Sequence, residues 1–214
     1  MKSMYIAALA AAFFSAGPAS SAIVTIDFDG PTSFASINEY YAGGADSEAA
    51  IGPNLGVSFG PDALTIKNDE LGPYFSNWST VGIMGPVEAN AAMNVGVGFI
   101  GNVSFSYSAV QAVAVNVWSG LNGTGSIVGT FQLAANAASC AAGAGLCSWS
   151  PASITLGSGV VARSITFGDA ATTSTGFDNV TITAVPEPES VVLLALGLAG
   201  LGIVGRKKQR AVRV

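Results

Sequence analysis

Val103-Ser104-Phe105-Ser106-Tyr107, followed after a short gap by Val113-Ala114-Val115-Asn116-Val117, decides the fold class of this chain. Apolar residues take every second position, with Ser, Ala or Asn between them. Successive side chains of an extended strand point to opposite faces, so this period sets one face against a core and the other toward solvent. The pattern spreads both ways. Val95-Val97-Phe99, Leu55-Val57-Phe59 and Val24-Ile26-Phe28 lie upstream; Ile127, Phe131 and Leu133, then Val161, Ile165 and Phe167, then Val180 and Ile182 lie downstream. Gly, Pro, Asn, Asp and Ser punctuate the gaps, as at Asn122-Gly123. No long amphipathic helical run and no internal repeat breaks the series. Many short strands joined by turns predict an all-β fold, an antiparallel β-sandwich. Gly96-Val97-Gly98-Phe99-Ile100-Gly101 matches the spacing of a dinucleotide loop. That loop needs a helix after its turn, and here the strand pattern resumes at Val103, so the match reads as accidental.

The two ends follow other rules. Lys2, the 11-residue apolar run Met4–Phe14, the Gly17-Pro18 break and the small residues Ser20-Ser21-Ala22 form a signal-peptide pattern. Residues 1–22 are therefore expected to be removed by signal peptidase after export, leaving Ile23 as the new N-terminus. Near the other end, Val191–Gly205 is an uncharged stretch of 15 residues. As a helix it would be roughly 22 Å long, short of a hydrocarbon core of roughly 30 Å, which suits a transient hold on the inner membrane. Arg206, Lys207, Lys208, Arg210 and Arg213 follow it and are expected to stay cytoplasmic. Val185-Pro186-Glu187-Pro188-Glu189-Ser190 stands before it, and two prolines one residue apart impose an extended, exposed backbone.

Pro186-Glu187-Pro188, the apolar helix at 191–205 and the basic tail at 206–214, in that order, resemble the PEP-CTERM sorting signal of Gram-negative bacteria. The resemblance implies recognition by an exosortase, a membrane transpeptidase, with cleavage near 186–188 and transfer to the cell surface or an exopolysaccharide matrix. A sortase signal would need a Leu-Pro-x-Thr-Gly core, which is absent, and a lipid anchor signal would end in its apolar tail. A stable single-pass anchor in the envelope is the alternative. The expected organisation is thus a signal peptide at 1–22, an exported domain at 23–184 and a sorting signal at 185–214. Within the domain, Thr25-Ile26-Asp27-Phe28-Asp29 and Gly176-Phe177-Asp178-Asn179-Val180-Thr181-Ile182 resemble the first and last strands of secreted jelly-roll modules, many of which bind carbohydrate.

Charge and composition narrow the chemistry. The whole chain carries -5, but residues 23–184 hold only Lys67 and Arg163 against 11 acidic residues, a formal charge of -9. Such a domain repels nucleic acid and acidic polymers. The absence of histidine removes the commonest general base and the commonest metal ligand, and there is no Gly-x-Ser-x-Gly elbow. Glu39, Glu48 and Glu88 could serve a glycoside hydrolase, but their spacing pairs none of them, so a non-catalytic protein is expected. Cys140 and Cys147 are the only cysteines, and in an oxidising compartment they are expected to form a disulfide. Asp27, Asp29 and Asp178, on the first and last strands, are candidate oxygen ligands for a structural Ca²⁺. Tyr40, Tyr41, Tyr74 and Trp78, with Trp118 and Trp149, are candidate aromatics for stacking on the faces of a polysaccharide.

Overall fold

The computed structural model describes residues 21–76, 78, 80–88, 91–137, 145–168 and 174–186. These belong, apart from Pro186, to a compact unit spanning Ser21–Val185. The expected signal peptide (except Ser21 and Ala22), Glu187 and Pro188 of the sorting motif, the membrane helix, the basic tail and Cys140 lie outside the described residues.

Every alternating stretch lies in a strand except at three ends, Phe28, Leu55 and Val161, and the pairings between strands are antiparallel. The strands are β1 (Ala22–Ile26), β2 (Val57–Phe59), β3 (Ala63–Lys67), β4 (Gly82–Pro86) and β5 (Ala92–Ala109). They continue with β6 (Val113–Trp118), β7 (Ile127–Leu133), β8 (Ser150–Thr155), β9 (Ala162–Phe167) and β10 (Thr175–Ala184). The backbone order is β3-β4-β10-β5-β9-β6-β7, with β1 on β10 and with β2 and β8 on β5. Alternation does not announce β3, β4 or β8. Gly82–Pro86 is buried on both faces, which erases the period, and β8 is an edge strand that tolerates Pro151 because it pairs only with β5.

The 18-residue strand β5 changes partners along its length. Its first part pairs with β2 (Val57↔Val95) and β9 (Asn94↔Ser164). Its second part pairs with β10 (Ser106↔Asp178) and β8 (Ser104↔Ser153). The change of partners falls at the glycines of the apparent dinucleotide loop: Gly98 has φ +88° and Gly101 φ +70°. The register shifts there, and Val97, expected to face the core with Val95 and Phe99, turns outward at 38% exposure.

The strands close on one apolar core. Phe105 of β5 meets Phe131 of β7 (4.6 Å between ring centroids), Phe167 of β9 and Phe177 of β10. Ile26, Phe28, Met93, Phe99, Ile165 and Ile182 are fully buried around them, each such side chain contributing about 1.5–3 kcal/mol. The 30 residues from Asp27 to Gly56 contain no strand. They are tied down by Asp46, 5% exposed, whose carboxylate accepts the N–H groups of Thr32 (2.8 Å), Glu48 (2.9 Å) and Ala50 (2.9 Å). Burial opposes ionisation of Asp46, but these donors outweigh it and hold its carboxyl below the usual range.

The corner in β5 can be tested by alanine substitution. At Gly98 an added Cβ would lie 2.6 Å from Val161 Cγ1 and 2.9 Å from Ala162 O, in a backbone conformation that disfavours L-residues. Gly98→Ala is expected to cost about 2 kcal/mol or more in chemical denaturation. Gly101→Ala, with open space, should cost about 1 kcal/mol. Gly96→Ala, with neither clash nor positive φ, should stay within about 0.5 kcal/mol.

Candidate functional site

Outside the main core, a second apolar cluster covers the outer face of β4 and β10. Phe75, Ile83, Ala137 and Leu146 are buried in it, and Tyr74, Trp78 and Trp149 are half-buried against it. Gly176 makes the contact close, since a Cβ there would meet Leu146, Ile83 and Trp149. Trp78 and Trp149 stack at 4.9 Å and 22°, and Phe75 meets Trp149 edge-on. The indole N–H of Trp78 donates to Asp178 Oδ2 at 2.6 Å, and that of Trp149 to the carbonyl of Ser76 at 3.1 Å.

Asp178 is fully buried under this stack. Burial pushes its pKa up to about 6, against the opposing donors Trp78 Nε1, the Asn179 N–H and the Thr80 side chain; the charge of Asp29 adds to the rise. Trp78 therefore has one ring face and its N–H occupied within the protein. Trp118 is similar, with its N–H donating to Thr166 Oγ1 at 2.9 Å.

Beyond Trp78 the apolar surface continues outward. Tyr74 is held by its own N–H, which donates to Asn68 Oδ1 at 2.8 Å, and by its hydroxyl, 3.3 Å from Asp69 Oδ1. Its ring meets Phe34 edge-on at 5.0 Å and 83°. Phe34 is 48% exposed and adopts φ +60°. No periodicity marks Phe34 in the sequence, and its backbone angle is not legible there. Tyr74 also borders a groove of about 210 Å³ lined by Ile66, Ile83 and Leu146, with Ser174 and Thr175 among its polar residues. None of the lining residues is charged.

Tyr40 and Tyr41 require a correction. They are 8% and 3% exposed and belong to the core, where Tyr41 packs against Phe28 and Phe59 and Tyr40 against Tyr41. The turn at 38–41 folds both rings inward, so they offer no surface for stacking. Of the six tyrosine and tryptophan candidates, Tyr74 alone adjoins both the groove and an exposed aromatic.

The three aspartates each engage protein donors. Asp27 Oδ1 accepts from the N–H of Asp29 at 3.3 Å. Asp29 Oδ1 accepts from Val81 and Gly82 at 3.0 and 2.8 Å, which pins the start of β4. Among the described residues no group of three or more Asp, Glu, Cys or His is arranged to hold a metal. Cys147 is buried, and among the described residues no cysteine is free. Among them, too, no helix is long and apolar enough to cross a membrane.

The C-terminal junction is the other functional feature. β1 pairs with β10 from Ala22↔Ala184 to Ile26↔Val180, and the Thr25 and Thr181 hydroxyls lie 2.9 Å apart. The N–H of Val185 donates to the Gly98 carbonyl at 2.9 Å, and Pro186 follows directly. Among the described residues, the last one tied into the sheet is thus one residue ahead of the proline pair.

Residues 184–208 match the model of the PEP-CTERM protein-sorting motif. No curated protein matches the chain. Among solved structures, the K2 cleaved adhesin domain of Lys-gingipain is similar at 10% identity and a TM-score of 0.49, over 76% of this chain and 99% of that one. A family 29 carbohydrate-binding module from Piromyces equi is similar at 10% identity and 0.41, over 78% and 92%. CsCBM6-3 from Clostridium stercorarium, in complex with cellobiose, is similar at 14% identity and 0.38, over 59% and 86%.

The buried Asp178 has a pH signature. Its folded pKa of about 6 lies above the ordinary 3.8, so between these values the folded state holds more protons than the unfolded one. Its contribution to stability is fully present below the unfolded pKa and is lost as pH rises through about 6. Denaturation from pH 3.5 to 7 should show the stability of the native chain falling relative to Asp178→Asn across this window. Parallel curves would mean that Asp178 titrates normally.

Proposed function

We propose that this is an exported, non-catalytic protein of a Gram-negative cell surface or extracellular matrix, and that its β domain is carbohydrate-associated. The observation that carries the reading is the sorting-motif match at 184–208, which begins where β10 ends. On this reading the general export machinery and signal peptidase act at the N-terminus. The apolar stretch 191–205 and the basic residues Arg206, Lys207, Lys208 and Arg210 hold the precursor in the inner membrane. An exosortase then acts near Pro186-Glu187-Pro188.

The register of the domain supports this order of events. A cut after Ala22 would remove only the terminal pair Ala22↔Ala184 and leave four pairs between β1 and β10. A cut at the proline pair would leave β10 whole. Both ends can therefore be trimmed without loss of the sheet. The chemistry of the domain supports binding over turnover. It has a strong negative charge, no histidine, and an aromatic pair, Phe34 exposed and Tyr74 half-buried, of which Tyr74 borders an uncharged groove.

Intact mass of the protein recovered from the host envelope and medium is the test. A species beginning at Ile23 and ending near 186–188 is expected, and Glu187→Ala or deletion of residues 206–210 should leave membrane-bound precursor. A wild-type species still carrying residues 191–213 would instead make this a stably anchored envelope protein.

A further inference from the structure

We propose that Phe34 and Tyr74 form the contact site for a neutral polysaccharide, which continues from these two rings into the groove beside Tyr74. The inference rests on the carbohydrate-associated reading and assigns it a place and a ligand class.

Phe34 is the starting point because it is costly twice. At φ +60° it occupies the left-handed region, which disfavours L-residues by roughly 1–2 kcal/mol and suits Gly or Asn. Its ring is also 48% exposed, which forgoes much of the gain from burying an aromatic. The backbone around it does not call for a phenylalanine. The N–H of Phe34 donates to the Thr65 carbonyl at 2.7 Å and that of Ala35 to the Thr32 carbonyl at 3.1 Å, bonds that Asn or Gly would make equally well. Local strain kept together with an exposed ring points to use of that ring.

The geometry defines what it can hold. Phe34 and Tyr74 meet at 83°, so the two rings form a corner. The C–H face of a pyranose stacks on one ring while its edge contacts the other. Tyr74 is fixed by Asn68 and Asp69, so little side-chain entropy is left to lose on binding. The groove of about 210 Å³ is below the range of roughly 300–1,000 Å³ typical of drug-sized ligands. It accommodates a unit about the size of one sugar ring, with the neighbouring unit of the chain over the aromatic corner.

The class of ligand follows from charge and from the strand edge. None of the groove-lining residues is charged, and the surrounding domain is strongly anionic, so an acidic polymer is disfavoured. A peptide adding as a strand would need a free edge on β3. That edge is already paired: Phe34 and Ile37 donate to Thr65 and Ala63, and Thr65 donates to Ala35.

The test is affinity gel electrophoresis of the full-length chain in mild detergent. The gels contain soluble glucan, xylan or galactomannan, with alginate as the anionic control. Phe34→Asn is the deciding variant, because Asn tolerates the backbone angle: its melting temperature should equal or exceed that of the native chain while retention weakens at least tenfold. Tyr74→Ala should weaken retention likewise, and Ile127→Ala, on β7 at the opposite end of the strand order, should not. Native retention that survives both Phe34→Asn and Tyr74→Ala would overturn the site and leave the carbohydrate reading standing. Retention by alginate alone would overturn the neutral ligand. Retention by none of these polymers would overturn the site together with the reading on which it rests.

Discussion

Strand β5 is the constraint on which the remaining strands depend. It is hydrogen-bonded to β2 and β9 through one half and to β8 and β10 through the other. A single strand can change partners in this way only if its pleat is interrupted, and the glycines at 98 and 101 supply the backbone angles that do so. Phe105, beyond that corner, then faces rings from β7, β9 and β10 together. Core closure and the change of partners are thus linked through β5.

A second aromatic cluster is built on the outside of that frame. β4 and β10 present Ile83 and Gly176 outward, and the chain around residues 74–78 and 145–149 packs on them as a second cluster. Asp178 sits at the base of this cluster with its carboxylate bonded to Trp78. The stack of Trp78 on Trp149 is a supporting structure for the loop that carries Tyr74. This divides the aromatics by physical role. Trp78, Trp149 and Phe75 hold the loop in place, Tyr40 and Tyr41 fill the core, and Phe34 with Tyr74 remain turned toward solvent.

The sorting segment joins this frame at its least disruptive point. β10 is held on one side by β5 and on the other by β1, with β4 alongside at Phe177↔Met84. Its hydrogen bonding runs through Val185, and the proline at 186, lacking an N–H, cannot extend it. Among the described residues, the bonding of the sheet therefore ends just ahead of the proline pair.

Much of this was legible from the residues themselves, because it depends on local order along the chain. Period-two alternation identified the central and terminal strands, and the motif, apolar stretch and basic tail identified the sorting segment before any fold was considered. β3, β4 and β8 were not legible: a strand buried on both faces or lying at an edge loses its period. Val97 was misplaced for a related reason, since a positive φ at the next residue reverses a face without changing composition. The candidate site was legible only in part. Tyr74 stood out as an aromatic in a loop, but Tyr40 and Tyr41 carried the same signal and are buried. Phe34 carried none, although it is the exposed ring. Composition and period determined the all-β class, the charge and the sorting motif, because these are properties of short stretches. Tertiary structure alone decided which aromatics face water, because burial is set by contacts between segments far apart in the chain.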